Sequence, residues 1–209
     1  MIQVSRKDPN TAMKRLTYRS HLIMRKQAGF TVMELLTVVA IIGVMAGLAI
    51  ASGIEWLPKH RLKSATNGLF SNMQRAKMAA IKENSDWAIV FDTSVTPGRY
   101  FVCSDDGPDS TWDGGPILGG DDTVDRTIIL ADYGSGVDYG HGSATDDIPA
   151  GSSPIGDDIS YNFDQVIFNP VGTGTAGYVY LDNNQNDTYG VGTLSSGVIR
   201  SRRWSGTWN

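Results

Sequence analysis

Residues 26–43 read KQAGFTVMELLTVVAIIG, a cation, a glycine and then a long apolar run that holds one carboxylate, Glu34. The run continues as FTVMELLTVVAIIGVMAGLAIASGI from Phe30 to Ile54, and Glu34 is its only charged residue. As a helix these residues extend about 37 Å at ~1.5 Å per residue, enough to cross a hydrocarbon core of roughly 30 Å with some tilt. A carboxylate in such a span is costly, about 2.5–3.5 kcal/mol at the centre on insertion scales, and normally has a partner. No lysine or arginine follows Glu34 inside the run. The available cations are Arg25 and Lys26, or a new amino terminus created by cleavage between Gly29 and Phe30, one helical turn away.

Charge is distributed unevenly around this run. Residues 1–29 hold seven lysines and arginines against Asp8 alone, a local balance of +6; with −4 for the whole chain, the remainder carries −10. A basic head before an apolar segment and an acidic body after it is the pattern that keeps the head in the cytoplasm. A secretory signal peptide cut after Ala49-Ile50-Ala51 is the competing reading, opposed by the long head and by Glu34 at the start of the apolar region. Within the run, Gly43 and Gly47 form a G-x-x-x-G pair, a spacing that lets membrane helices approach closely and also occurs without any packing role.

After the run, Pro58 kinks the helix or ends its first half. Leu62, Thr66, Leu69, Met73, Ala76 and Ala80, with Phe70 and Ile81 beside them, then recur at helical spacing to about Asn84, giving one apolar face that packs on a sheet. From Trp87 the period becomes two. Strands are predicted at Trp87–Phe91 and Arg99–Cys103 around the turn Thr96-Pro97-Gly98, and at 127–133, 161–168, 178–181, 190–194 and 198–204. One helix followed by short strands implies an α+β fold with the helix laid on antiparallel sheets. Between Asp105 and Asp158 lie thirteen aspartates and eleven glycines but a single arginine, Arg126, which reads as acidic surface loops around one or two strands. The lone cysteine, Cys103, is expected as a buried thiol.

No H-E-x-x-H, G-x-S-x-G or P-loop pattern occurs, and His21, His60 and His141 stand far apart, so the sequence is read as a non-enzyme without a required cofactor. Calcium is the one metal for which the sequence offers candidate ligands. Asp182, Asn184 and Asn186 have the D-x-N-x-N spacing that opens a calcium loop, but Asp187 stands where glycine belongs and Thr193 where the bidentate glutamate belongs, which favours an ordinary turn. Arg200, Arg202, Arg203 and Trp204 form a basic cluster with an aromatic partner, a usable DNA contact that the acidic body opposes.

The stretch Lys26-Gln27-Ala28-Gly29-Phe30-Thr31-Val32-Met33-Glu34-Leu35 resembles the prepilin cleavage and methylation site of type IV pilins and type II secretion pseudopilins. The C-terminal Phe168-Asn169-Pro170-Val171-Gly172-Thr173, followed by a strand and a Gly197-led final strand with arginines, resembles the GspH/FimT group of minor pseudopilins and minor pilins. Glu34 argues against the K-type tip pseudopilin. The resemblance implies a type IV pilin-like fold divided into a cleaved leader (1–29), a transmembrane and assembly helix (30–54), its amphipathic continuation (55–84) and a periplasmic β-rich domain (85–209) with an acidic insertion near 105–158. It also implies cleavage between Gly29 and Phe30 by a prepilin peptidase with methylation of the Phe30 amine, and assembly through Glu34, Gly43 and Gly47. The expected partners are other pseudopilins or pilins, the inner-membrane assembly platform and lipid. The expected role is that of a minor pseudopilin in protein secretion; the alternative is a FimT-like minor pilin that takes up DNA through Arg200, Arg202, Arg203 and Trp204, although Val198-Ile199 break the usual opening after Gly197.

Overall fold

The computed structural model describes residues 29–148 and 153–209, and for 49–55 the backbone alone. The leader expected at 1–29, apart from Gly29, therefore lies outside the described residues, as do His21, Arg25, Lys26, the side chains of the Ala49-Ile50-Ala51 site and part of the acidic insertion. By its internal contacts the chain divides into two units, Met1–Met45 and Ala46–Asn209.

In the first unit the described part is the beginning of helix α1, which runs from Val32 to Glu83. Phe30 is 81% exposed, and the apolar side chains from Val32 to Met45 are exposed too. Among the described residues, no helix is long and apolar enough to cross a membrane. The described side chains of the apolar run stop at Leu48, short of the expected end at Ile54.

In the second unit α1 continues through Pro58, so this proline does not end the helix as one of the two expectations held; proline deletes a single ladder hydrogen bond, and tertiary packing further along can outweigh that loss. Leu62, Ala65, Leu69, Met73, Ala76 and Ala80 are fully buried and share a core with residues of both sheets. Thr66 belongs to the same stripe and returns its hydroxyl to Leu62 O at 2.8 Å. Ile81, expected beside the stripe, is half exposed.

Among the described residues eight strands follow: β1 (Trp87–Asp92), β2 (Arg99–Asp105), β3 (Thr123–Ile129), β4 (Asp138–Tyr139), β5 (Gln165–Phe168), β6 (Gly177–Asp182), β7 (Thr188–Thr193) and β8 (Ile199–Arg203). They form two antiparallel sheets, ordered β3-β2-β1-β5 and β4-β6-β7-β8. Every residue of β1 is buried, so the strand lacks an outward polar face. Trp87, Ile89 and Phe91 join the main core, and Val90 packs with Phe101 and Cys103 under Trp112 and Val124. Cys103 is the expected buried thiol, and desolvation pushes it well above the ordinary thiol range.

All seven predicted strands are present with changed limits, most of them by one or two residues at an end and two by more. The one expected at 127–133 is shifted: β3 ends at Ile129, and Leu130–Tyr133 coil into a 3-10 turn that buries Leu130. The one expected at 161–168 shortens to Gln165–Phe168, because Phe163 and Asp164 adopt left-handed φ values of 58° and 51° that break an extended chain. The two-residue β4 is too short to give a periodic signal; it is fixed by pairing to β6 and by Tyr139 donating to Arg99 O at 2.8 Å. β8 ends one residue earlier than predicted, at Arg203.

Candidate processing and assembly site

The start of α1 is built by the sequence Thr31-Val32-Met33-Glu34. Glu34 N donates to Thr31 Oγ1 at 3.2 Å, and Leu35 N donates to Thr31 O at 3.1 Å as the first full helical bond. Thr31 is therefore the N-cap and Glu34 the third helical residue, the arrangement in which a hydroxyl satisfies an orphan N–H and a carboxylate faces the positive helix end. Thr31 is a helix-capping residue, and the T-x-x-E spacing carries its signal in the sequence.

Phe30 and Glu34 line one shallow groove of about 250 Å³ with Leu35, Val38 and Val39. One turn on, Thr37 donates its hydroxyl to Met33 O at 2.8 Å, and a second groove of about 310 Å³ is lined by Thr37, Ala40, Ile41, Val44 and Met45. A Cβ placed on Gly43, or on Gly47, meets nothing within 4 Å, so each leaves backbone open to approach. Gly29 is likewise open and precedes the helix.

The C-terminal motif forms a turn pressed onto the core. Asn169 Oδ1 accepts from Thr173 N at 3.1 Å, Asn169 Nδ2 donates to Thr173 Oγ1 at 2.5 Å, and Gly172 N donates to Asn169 O at 2.9 Å. A Cβ at Gly197 would lie 2.0 Å from Gly172 O, and Lys77 Nζ donates to Gly197 O at 2.8 Å. The residues that carry the likeness thus lock the loops after β5 and β7 to each other and to α1.

Residues 65–197 match the family of type II transport protein GspH, and residues 24–50 match the prokaryotic N-terminal methylation motif. The chain belongs to the GspH family. Comparisons with curated proteins and with solved structures give no match. GspH proteins are pilin-like structural subunits of type II secretion, and the family implies assembly with other pilins and processing by a prepilin peptidase. The methylation motif covers Gly29, Phe30, Glu34, Gly43 and Gly47 together.

The other candidate residues are placed as follows. Arg200, Arg202 and Arg203 lie on β8, which ends its sheet and falls outside both matched segments. Arg203 pairs with Asp187 at 3.1 Å, Arg202 Nη1 donates to Trp208 O at 3.4 Å, and Arg200 is exposed. Trp204 stacks edge-on against Trp208, which is buried on Tyr180 and donates to Asp146 O at 2.5 Å. Asp182, Asn184 and Asn186 lie on the hairpin from β6 to β7. Its organiser is the buried Asn183, whose Oδ1 accepts from Gln185 N at 2.9 Å and Asp187 N at 3.2 Å, while Asn184 and Asn186 are exposed at left-handed φ. Burial raises the Asp182 carboxyl above its usual range, with Asp158 and Asp138 adding to the shift. Asp109, Asp113 and Asp121, in the loop before β3, bring carboxylate oxygens within 4.8 Å of one another. His141 Nδ1 meets Asp158 at 2.6 Å, and His60 stacks on Trp56 at 4.9 Å, so neither joins a shared site.

Proposed function

We propose that this GspH-family chain is a minor pseudopilin, cut between Gly29 and Phe30, N-methylated at Phe30 and then drawn from the inner membrane into a pseudopilus through the start of α1. The capped helix start supports this reading most directly, because it sets Phe30 and Glu34 along one groove with Thr31 between them. In a filament Glu34 neutralises the amine of an adjacent Phe30; a copy packed out of register leaves a charge buried without a partner, which favours the correct one. The head remains cytoplasmic, residues 30–54 span the membrane, and the acidic body faces the periplasm. Gly43 and Gly47 offer open backbone to neighbouring helices. Replacing Glu34 with alanine is expected to leave cleavage largely intact and to deplete the protein from sheared filaments; incorporation at the wild-type level would remove the assembly role.

A second reading, DNA uptake through β8, is favoured by the exposure of Arg200 and Arg203 on an edge strand. It predicts a gel shift of short DNA by the full chain in detergent at low salt, lost on replacing Arg200 and Arg202. A shift that survives both replacements would exclude β8 as the contact.

A further inference from the structure

Antiparallel pairing fixes where each backbone group of β8 points. Leu194 N donates to Val198 O and Trp204 N to Thr188 O, both at 3.0 Å, so the even-numbered residues from 198 to 204 turn their N–H and C=O toward β7. The odd-numbered residues turn theirs to the outer edge. At Arg203 that edge is filled, since Arg203 N donates to Asn209 O at 2.9 Å and Asn209 N to Arg203 O at 3.0 Å. At Ile199 and Ser201 no strand of the described residues pairs with it, because β8 ends the sheet. A groove of about 410 Å³ runs there, lined by Phe70, Ile199, Arg200, Ser201, Arg202 and Asn209. Arg200 has no partner among the described residues, whereas Arg203 is held by Asp187 and Arg202 by Trp208.

We propose that the outer edge of β8 takes an extended acidic peptide segment of a partner protein as a further strand, bound through the N–H and C=O of Ile199 and Ser201 and through Arg200. A strand both donates and accepts, so it satisfies the two outward carbonyls as well as the two outward amides. A phosphodiester backbone only accepts and leaves the carbonyls unmet. Trp208, whose carbonyl accepts from Arg202 on the groove wall, is buried rather than displayed for stacking on bases, and Trp204 is half-buried against it. One or two carboxylates suffice to meet Arg200, so the net negative charge of the body opposes a short acidic segment less than it opposes a polyanion. The inference stands whichever filament the chain enters.

The test uses the full chain in detergent micelles with a synthetic peptide of about eight residues alternating valine and aspartate, a typical strand length. The same peptide N-methylated at alternate residues, a valine–lysine counterpart and a single-stranded oligonucleotide serve as comparisons. Binding is followed by calorimetry and by amide exchange at Ile199 and Ser201. The acidic peptide should slow exchange at both amides, and N-methylation, Ser201→Pro and Arg200→Glu should each weaken binding by about fivefold or more, as the loss of one hydrogen bond or charge contact implies. Proline at position 201 removes only an outward donor, as edge strands tolerate. N-methylation makes the same test on the peptide side, with the protein unaltered. Equal binding of acidic and basic peptides, unchanged exchange at Ile199 and Ser201, or full binding of the N-methylated peptide would overturn the proposal. So would an oligonucleotide that displaces the peptide and binds Ser201→Pro like the wild type, which would assign the edge to nucleic acid.

Discussion

Glu34 donates its backbone N–H to Thr31 Oγ1 at 3.2 Å, so the carboxylate that stands alone in the apolar run is also the third residue of a capped helix. The cap satisfies one orphan N–H, and the helix dipole favours a negative charge at that end. One residue pair therefore fixes both where α1 begins and how far Glu34 lies from residue 30. Thr31→Val is expected to remove the cap at a cost of about 1 kcal/mol to the first turn, whereas Thr31→Ser retains it. Amide exchange at Glu34 and Leu35 in the full chain in micelles checks this, with roughly fivefold faster exchange expected for valine alone.

Asp92 is buried and receives Arg99 Nε at 2.7 Å, Ser94 N at 2.9 Å and Ser94 Oγ at 2.5 Å. Burial alone would raise its pKa, but the Ser94 hydrogen bonds and the Arg99 charge outweigh this and hold it below the usual carboxylate range. A depressed folded value means stability that is present above the unfolded pKa and is lost as pH falls through the folded one. Arg99→Ala should lower stability by about 2 kcal/mol at neutral pH, because Asp92 loses its cation while still buried. Asp92→Asn should reduce the fall in melting temperature on acidification. Comparing each variant with the wild type isolates this effect from Asp122, Asp164 and Asp182, whose carboxyls are shifted upward, chiefly by burial, and act in the opposite sense.

Gly197 and Gly206 have similar positive φ values, 74° and 87°, but different surroundings. A Cβ on Gly197 meets Gly172 O, while one on Gly206 meets nothing within 4 Å. Gly206→Ala is therefore expected to cost about 1 kcal/mol from backbone strain alone, and Gly197→Ala at least about twice that. Denaturant midpoints of the two variants check the difference; equal costs would show that the close packing of the two loops contributes nothing.

The sequence made the helix face and most strands legible because each buries a regular set of side chains. Leu62, Leu69, Met73 and Ala80 recur with helical spacing, and Tyr100, Phe101 and Val102 within the strand run at Arg99–Cys103 are aromatic or β-branched. What escaped was set by turn chemistry and long-range pairing. Ile128-Ile129-Leu130 reads as one strand, yet it turns at Leu130, whose N–H goes to Gly98 O in a distant loop. β4 exists only because Asp138 and Tyr139 meet Asp182 and Leu181. At the candidate site Gly29, Phe30 and Glu34 stand out by type and spacing, whereas the T-x-x-E signal of Thr31 is a general helix-start pattern that gains meaning from its hydroxyl capping α1. The free edge of β8 was invisible for a further reason: which backbone groups are unpaired depends on the register with β7, which no local pattern encodes.

We propose residues 26–35 as a processing and assembly signal. Intact-mass and N-terminal peptide mass spectrometry of the protein, recovered from membranes of cells that contain a prepilin peptidase, tests it most directly. A mature chain beginning at Phe30 with one added methyl group on its amine is expected. A chain beginning at Ser52, after the Ala49-Ile50-Ala51 site, or one that retains its first residues uncut, would contradict it.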